Sequence, residues 1–202
     1  MKISNFLAIS KIFLLIAVSG CSQDRPAFRL SVASGMVKVP FDRPFIGPCP
    51  DTVEISAAGG EYEAFQLIIH DQARSMHGVR CKAGDLRGKK GFISSGNVAV
   101  NPVGYVRTTV VCDKYQSSLG WWPDPLLRMD EFSVPAGEVQ PVWVTVYVPR
   151  GTPAGEYRSS LKVLTENCGV REIPLKLRVW GFEIPLRPSL KTLTWVSALK
   201  KY

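Results

Sequence analysis

Glu156-Tyr157-Arg158-Ser159-Ser160-Leu161-Lys162-Val163 leads through Glu166-Asn167-Cys168-Gly169 into Arg171-Glu172-Ile173-Pro174-Leu175-Lys176-Leu177-Arg178-Val179-Trp180. Tyr157, Leu161 and Val163 alternate with Glu156, Arg158, Ser160 and Lys162. Ile173, Leu175, Leu177 and Val179 alternate with Glu172, Lys176 and Arg178. A period of two with turn residues between the runs predicts a β-hairpin with one buried face and one wet face. Pro174 has no N–H to give a ladder, so its strand is expected to be an edge or to carry a bulge.

The rest of the chain past Cys21 reads the same way. Short apolar runs are punctuated by Gly, Pro, Asn and Asp, with almost no helical periodicity. Further strands are expected at Phe28–Val32, Val53–Ser56, Glu61–His70, Val79–Ala83, Val98–Val106 and Val142–Val148, with another at Thr192–Val196. In Glu61–His70, Phe65, Leu67 and Ile69 share one side. From Val142 to Val148 the valines take one face and Trp143, Thr145 and Tyr147 the other. Both faces are packable, which places that strand centrally in a sheet. The fold class is therefore all-β, a sandwich of two antiparallel sheets, with an open barrel as the alternative. The longest irregular stretch, Val111 to Pro135, holds Gly120-Trp121-Trp122-Pro123-Asp124-Pro125-Leu126-Leu127. Loops of that length in compact domains are usually functional or interfacial.

With 202 residues, 46% of them hydrophobic, and five Trp, the chain is neither disordered nor a multi-span membrane protein. At roughly 150 residues per domain it is one domain with a short extra segment. A (β/α)₈ barrel of about 250 residues does not fit beside anything else. The formal charge is +8. Lys2 and Lys11 lie in an N-terminal leader without acids; beyond residue 20 the balance is +6, 23 basic against 17 acidic residues. The basic residues are dense only from Arg80 to Lys90 (Arg80, Lys82, Arg87, Lys89, Lys90). No nucleic-acid motif accompanies them, so no nucleic-acid partner is expected. The scatter reads as solvated surface, with an anionic partner as the alternative.

Lys2 followed by Ile12-Phe13-Leu14-Leu15-Ile16-Ala17-Val18 reads as a secretory signal, too short to span a bilayer. Val18-Ser19-Gly20-Cys21 resembles the lipobox of bacterial lipoproteins. That resemblance implies a lipid anchor on Cys21, a membrane partner, and a place in the bacterial cell envelope, at the outer membrane. An ordinary signal with an incidental cysteine is the alternative. The expected layout is a signal peptide over 1–20, a tether over 21–27, a sandwich over 28–185, and a linker with a barrel stub over 186–202. Cys49, Cys81, Cys112 and Cys168 allow three disulfide pairings, which spacing does not choose among; free thiols are equally compatible. His77 and Cys81, with His70 nearby, lack a closing ligand pair for zinc, and no cofactor is expected.

Several segments in order resemble the N-terminal domain of glycoside hydrolase family 123-like proteins. They are Glu61-Tyr62-Glu63-Ala64-Phe65-Gln66, Gly104-Tyr105-Val106, Trp122-Pro123-Asp124-Pro125-Leu126, Gln140-Pro141-Val142-Trp143-Val144, Pro153-Ala154-Gly155-Glu156-Tyr157, and Val179-Trp180-Gly181-Phe182-Glu183-Ile184-Pro185 with Ser189-Leu190-Lys191-Thr192. The resemblance covers roughly Phe28 to Thr192. It implies an immunoglobulin-like sandwich preceding a (β/α)₈ barrel that removes N-acetylgalactosamine by substrate assistance, with an adjacent Asp-Glu pair. Asp130-Glu131 lies in the sandwich and does not correspond to that pair. Arg128 departs from the family pattern, where Pro tends to follow the Asp-Pro-Leu segment. The chain ends ten residues past Thr192, so the expectation is a non-catalytic module without its barrel, and no catalytic residue.

The chemistry of the remaining residues agrees with that expectation. Glu61 and Glu63 share one strand face about 7 Å apart, a spacing compatible with a carboxylate pair but common on charged faces. No nucleophile elbow accompanies His70 or His77, and Gly84 to Gly91 lacks a phosphate-loop pattern. Trp121, Trp122 and Asp124 are the candidate contact residues. They would meet a glycan by stacking and hydrogen bonding, or pack inside the domain or against a barrel, including one encoded separately.

Overall fold

The computed structural model describes residues 28–71, 73–110, 119–187 and 189–190. The signal segment, the tether with Cys21, Cys112 and the Thr192–Val196 run lie outside the described residues. The strands are β1 Arg29–Ser34, β2 Val53–Gly59, β3 Tyr62–His70, β4 Met76–Ala83, β5 Leu86–Gly88, β6 Phe92–Ile93, β7 Val98–Thr108, β8 Gly120–Leu126, β9 Phe132–Val134, β10 Val139–Tyr147, β11 Gly155–Leu164 and β12 Val170–Glu183. They form two sheets, in the orders β1-β3-β10-β7-β8 and β2-β12-β11-β4-β9, with the small β5–β6 hairpin paired to β11.

The alternations written in the sequence become the interior. Phe65, Leu67 and Ile69 of β3 and Val142, Val144 and Val146 of β10 meet Tyr157, Leu161, Val163, Leu175 and Leu177 from the second sheet. Burying such a side chain fully is worth roughly 1.5–3 kcal/mol, so these two faces supply the main cohesion between the sheets. β10 is central, flanked by β3 and β7, as its two packable faces require. The β11–β12 hairpin pairs from Gly155 opposite Val179 to Leu164 opposite Val170. Pro174 precedes the residue at which β2 joins β12, Leu175 opposite Val53, so β12 is locally an edge there.

Two details differ from the expected pattern. β2 runs parallel to β12; the two are far apart in sequence, so no hairpin turn dictates their relative direction. The Gly120–Leu126 stretch is an edge strand rather than a loop. It pairs with β7 from Thr108 opposite Gly120 to Val103 opposite Leu126, with a register shift between Val103 and Tyr105. Prolines at 123 and 125 are tolerated because one side of an edge strand needs no donors and the bulge relieves the ladder.

The outer face of the five-stranded sheet is covered by the connection from β1 to β2. Val39 and Phe45 of this strap pack on Ala33, Ile68 and Val139 as a second small core. The buried Gln66 amide donates to the Ser34 and Val37 carbonyls at 2.9 and 2.7 Å. The Tyr105 hydroxyl donates to the Val39 carbonyl at 2.8 Å. At the far end of the strap, Ser31 Oγ lies 3.2 Å from His70 Nε2 and 3.1 Å from Cys49 Sγ.

His70 gives the fold a pH dependence. Burial and the nearby Arg29 lower its pKa, with Asp71 opposing. The unfolded chain therefore takes up this proton first. Its contribution to stability is complete above the ordinary value of about 6.5 and is lost as pH falls below it. Urea midpoints of the full chain should fall between about pH 7 and 5, and His70→Gln should flatten that slope. An unchanged slope in the variant would show that His70 does not carry it.

Candidate functional site

β8 brings Trp121 and Trp122 to the edge of the five-stranded sheet, where the strap meets them. Trp121 is 48% exposed, and its ring stands edge-on to Phe41 at 6.0 Å. Phe41 in turn packs edge-on to Tyr105 at 4.9 Å. Burial pushes the Tyr105 hydroxyl well above the ordinary tyrosine value, aided by Asp42 and Glu138, so it stays protonated as a donor. Trp122 lies beneath the ammonium of Lys38, 4.8 Å from the ring centroid, a cation–π contact. Gly104 makes room for the next residues: a Cβ there would sit 2.9 Å from Pro125.

Two recesses adjoin the strand. One of about 230 Å³ is lined by Phe41, Tyr105, Trp121, Glu138 and Gln140 among others. The other, about 300 Å³, brings Asp124 and Pro123 together with Lys38, Gln66 and Trp143. Small-molecule sites usually run from about 300 to 1,000 Å³, so both lie at or below the small end. The structure thus gathers Trp121, Trp122 and Asp124 on one strand but turns them toward different surroundings. Much of the aromatic surface is spent on holding the strap.

The other sequence candidates are dispersed. Glu61 Oε2 accepts the Ala58 N–H at 2.6 Å and closes the turn between β2 and β3. Glu131 lies 3.5 Å from Arg80. The resolved carboxylate shifts run downward: Asp85 through its bonds from Ser95, Glu156 through Lys176, Glu172 through Ser160. His77 is exposed while His70 is buried, and among the described residues no three His, Cys, Asp or Glu gather as a metal site. Cys49, Cys81 and Cys168 are free thiols, and burial pushes Cys81 up to about 12.

A surface that sequence reasoning passed over lies where β12 runs beyond β11. Trp180, Phe182, Ile184 and Leu186 are exposed there. The segment is firmly held. Arg150 and the Gly151 N–H both bond the Glu183 carboxylate, and Arg150 also donates to the Ile184 carbonyl. The Ile184 N–H donates to the Gly59 carbonyl at 2.8 Å. The signal was present as a switch of apolar phase, from Ile173, Leu175, Leu177 and Val179 to Trp180, Phe182, Ile184 and Leu186 on the opposite alternation, where the pairing with β2 shifts register.

Residues 49–165 match the glycoside hydrolase 123 N-terminal domain. The chain belongs to that family. Among solved structures, a family 123 glycoside hydrolase from Clostridium perfringens, studied for glycolipid glycan hydrolysis, resembles this glycoside hydrolase 123 N-terminal domain with a TM-score of 0.66. The identity is 15%, and the match covers 79% of this chain and 28% of the enzyme. At that identity the likeness is one of fold. Weaker likenesses include the periplasmic chaperone SfaE, with TM-score 0.35 and 10% identity over 67% of this chain and 58% of that one. A PapD-like domain of human CEP192 gives 0.36 and 11%, over 90% and 100%. No curated protein matches the sequence.

Proposed function

We propose that the sandwich is a non-catalytic module of a family 123-like lipoprotein of the bacterial cell envelope, anchored through Cys21, and that it supports or orients a (β/α)₈ catalytic barrel. The barrel can be continuous with this module or separately encoded. The observation that carries this reading is the clamped apolar run of Trp180, Phe182, Ile184 and Leu186, exposed at 37%, 61%, 39% and 82%. Exposed apolar side chains at the end of β12 and in the bonded segment just past it suit a permanent neighbour. The match to an N-terminal domain supports a role without chemistry of its own. The purified chain should release no N-acetylhexosamine from a chromogenic N-acetylgalactosaminide. Turnover by the chain alone would overturn the non-catalytic role.

A second reading, glycan binding at β8, is favoured by the half-exposed ring of Trp121 beside Glu138 and Gln140. Trp121 is its better probe, because Lys38 already occupies a face of Trp122. On a glycan array, loss of a retained sugar in Trp121→Ala would establish it. An array that retains nothing would remove it.

A further inference from the structure

We propose that the outer face of the seven-stranded sheet docks on an anionic phospholipid surface. This rests on the lipid-anchor reading of Cys21 given above. Cations that are scattered in the sequence are gathered by strand register. Arg87 of β5 lies opposite Arg158 of β11, which lies opposite Lys176 of β12. Two alternations away, past Ser160, Lys162 lies opposite both Lys82 and Glu172, and Arg178 follows Lys176 on the same face. Six cations thus share the face with Glu54, Glu156 and Glu172; Arg87 pairs with Asp85 at 3.3 Å, Lys162 with Glu172 at 3.6 Å and Lys176 with Glu54 at 3.5 Å, while Arg178 stacks on the Trp180 ring at the margin of the array. Glu156 is divided between Arg158 at 3.5 Å and Lys176 at 3.2 Å. Lys82 has no ion-pair partner among the described residues.

Arg87, Arg158 and Lys176 stand opposite one another as like charges, but each is offset by a neighbouring carboxylate, Asp85, Glu156 or Glu54, so the uncompensated charge offered to an anionic partner begins with Lys82. The β5–β6 hairpin extends the patch. Its turn, closed by the Gly88 N–H on the Gly91 carbonyl at 2.9 Å, carries Lys89 and Lys90, also without ion-pair partners among the described residues. Beside the turn lies a groove of about 660 Å³ where Arg87, Lys89, Lys90 and Arg158 outnumber the single carboxylate of Glu156, open to a headgroup phosphate.

A membrane is favoured over other polyanions by where the chain enters the domain. Arg171 at the start of β12 donates to the Phe28 carbonyl at 2.6 Å. Arg171 shares the inward side of β12 with Ile173, so the chain enters at the edge between the two sheets, at the strand end whose outer side carries Glu172 opposite Lys162. Seven residues lead from Cys21 to Phe28, and fully extended they reach at most about 25 Å. An anchor on Cys21 holds this face close to the bilayer, where headgroup charge acts over a Debye length of about 8 Å. The opposite outer face is covered by the strap.

Vesicle sedimentation of the full chain carrying Cys21→Ser reads the face without acyl chains. It should bind phosphatidylcholine vesicles containing phosphatidylglycerol in preference to phosphatidylcholine alone, and salt should weaken that preference. Lys82→Gln/Lys89→Gln/Lys90→Gln should lose about a hundredfold of it, at roughly fivefold per cation. Arg87→Gln/Arg158→Gln, which also relieves a like-charge pair, should lose preference without losing stability. No preference for phosphatidylglycerol, or one that both variants keep, overturns the proposal. Retention on heparin without binding to the anionic vesicles also overturns it, in favour of a polyanionic glycan. Mass spectrometry of Cys21 in the wild-type chain reports the anchor separately, so an anchor that fails and a face that fails are told apart.

Discussion

Tyr157→Ala should remove about 4 kcal/mol of stability, in the range of roughly 3–5 kcal/mol for deleting a large buried aromatic side chain. Tyr157 is 1% exposed and sits in the core between the sheets. It also seats the small hairpin. It pairs with Gly88 on one side and Leu177 on the other, and a Cβ on Gly88 would lie 2.9 Å from its ring. Its hydroxyl donates to the Pro153 carbonyl at 2.7 Å. Truncation therefore opens a cavity and removes the surface on which β5 and β6 rest. Tyr157→Phe keeps the ring and should cost only about 1 kcal/mol. Urea unfolding of the full chain distinguishes the two, and hydrogen exchange around Leu86–Gly88 should quicken in Tyr157→Ala alone. A loss below about 1.5 kcal/mol would mean that the hairpin collapses into the space, contrary to the packing described.

The same residues show what the sequence can and cannot disclose. Tyr157, Leu161 and Val163 announced β11 because burial on one face imposes a period of two. The valines of β10 announced a central strand because both of its faces carry packable groups. β5 and β6 escaped notice because three and two residues are too short to show a period, and Gly88-Lys89-Lys90-Gly91 reads as a turn. β8 was hidden by Pro123 and Pro125, which weigh against any strand unless its edge position and bulge are known. Edge position, the parallel β2–β12 pair and the row of Arg87, Arg158 and Lys176 are products of register between distant segments. Register is settled by which apolar faces must be buried together, and nothing local in Arg87 or Arg158 records it. For the candidate site, the sequence brought forward Trp121, Trp122 and Asp124, but not Lys38 and Phe41, which the strap delivers from far along the chain, nor the role of Tyr105, which β7 sets beside them.

The strap supplies the second large effect. Gln66→Leu should cost about 3 kcal/mol, because a nearly isosteric apolar side chain removes both donors from the Ser34 and Val37 carbonyls. Leaving a buried polar group unpaired costs roughly 1–3 kcal/mol. Gln66 is 2% exposed, so water has little room to replace its amide. Gly35 makes the site tighter still, since a Cβ there would stand 2.9 Å from the Trp143 ring. The damage should spread along the strap. Val37 precedes Lys38, which covers Trp122, and the chain then reaches Val39 and Phe41, which hold Tyr105 and Trp121. Amide exchange from Val37 to Phe41 should rise and tryptophan emission should shift toward that of solvated indole, while β11 and β12 keep their protection. Tyr105→Phe should reproduce the strap signature at a smaller cost of about 1 kcal/mol, having lost one bond instead of two. If Gln66→Leu loosens β11 as readily as the strap, the second small core is not a separable layer. Trp121 and Trp122 would then owe their positions to the sandwich as a whole.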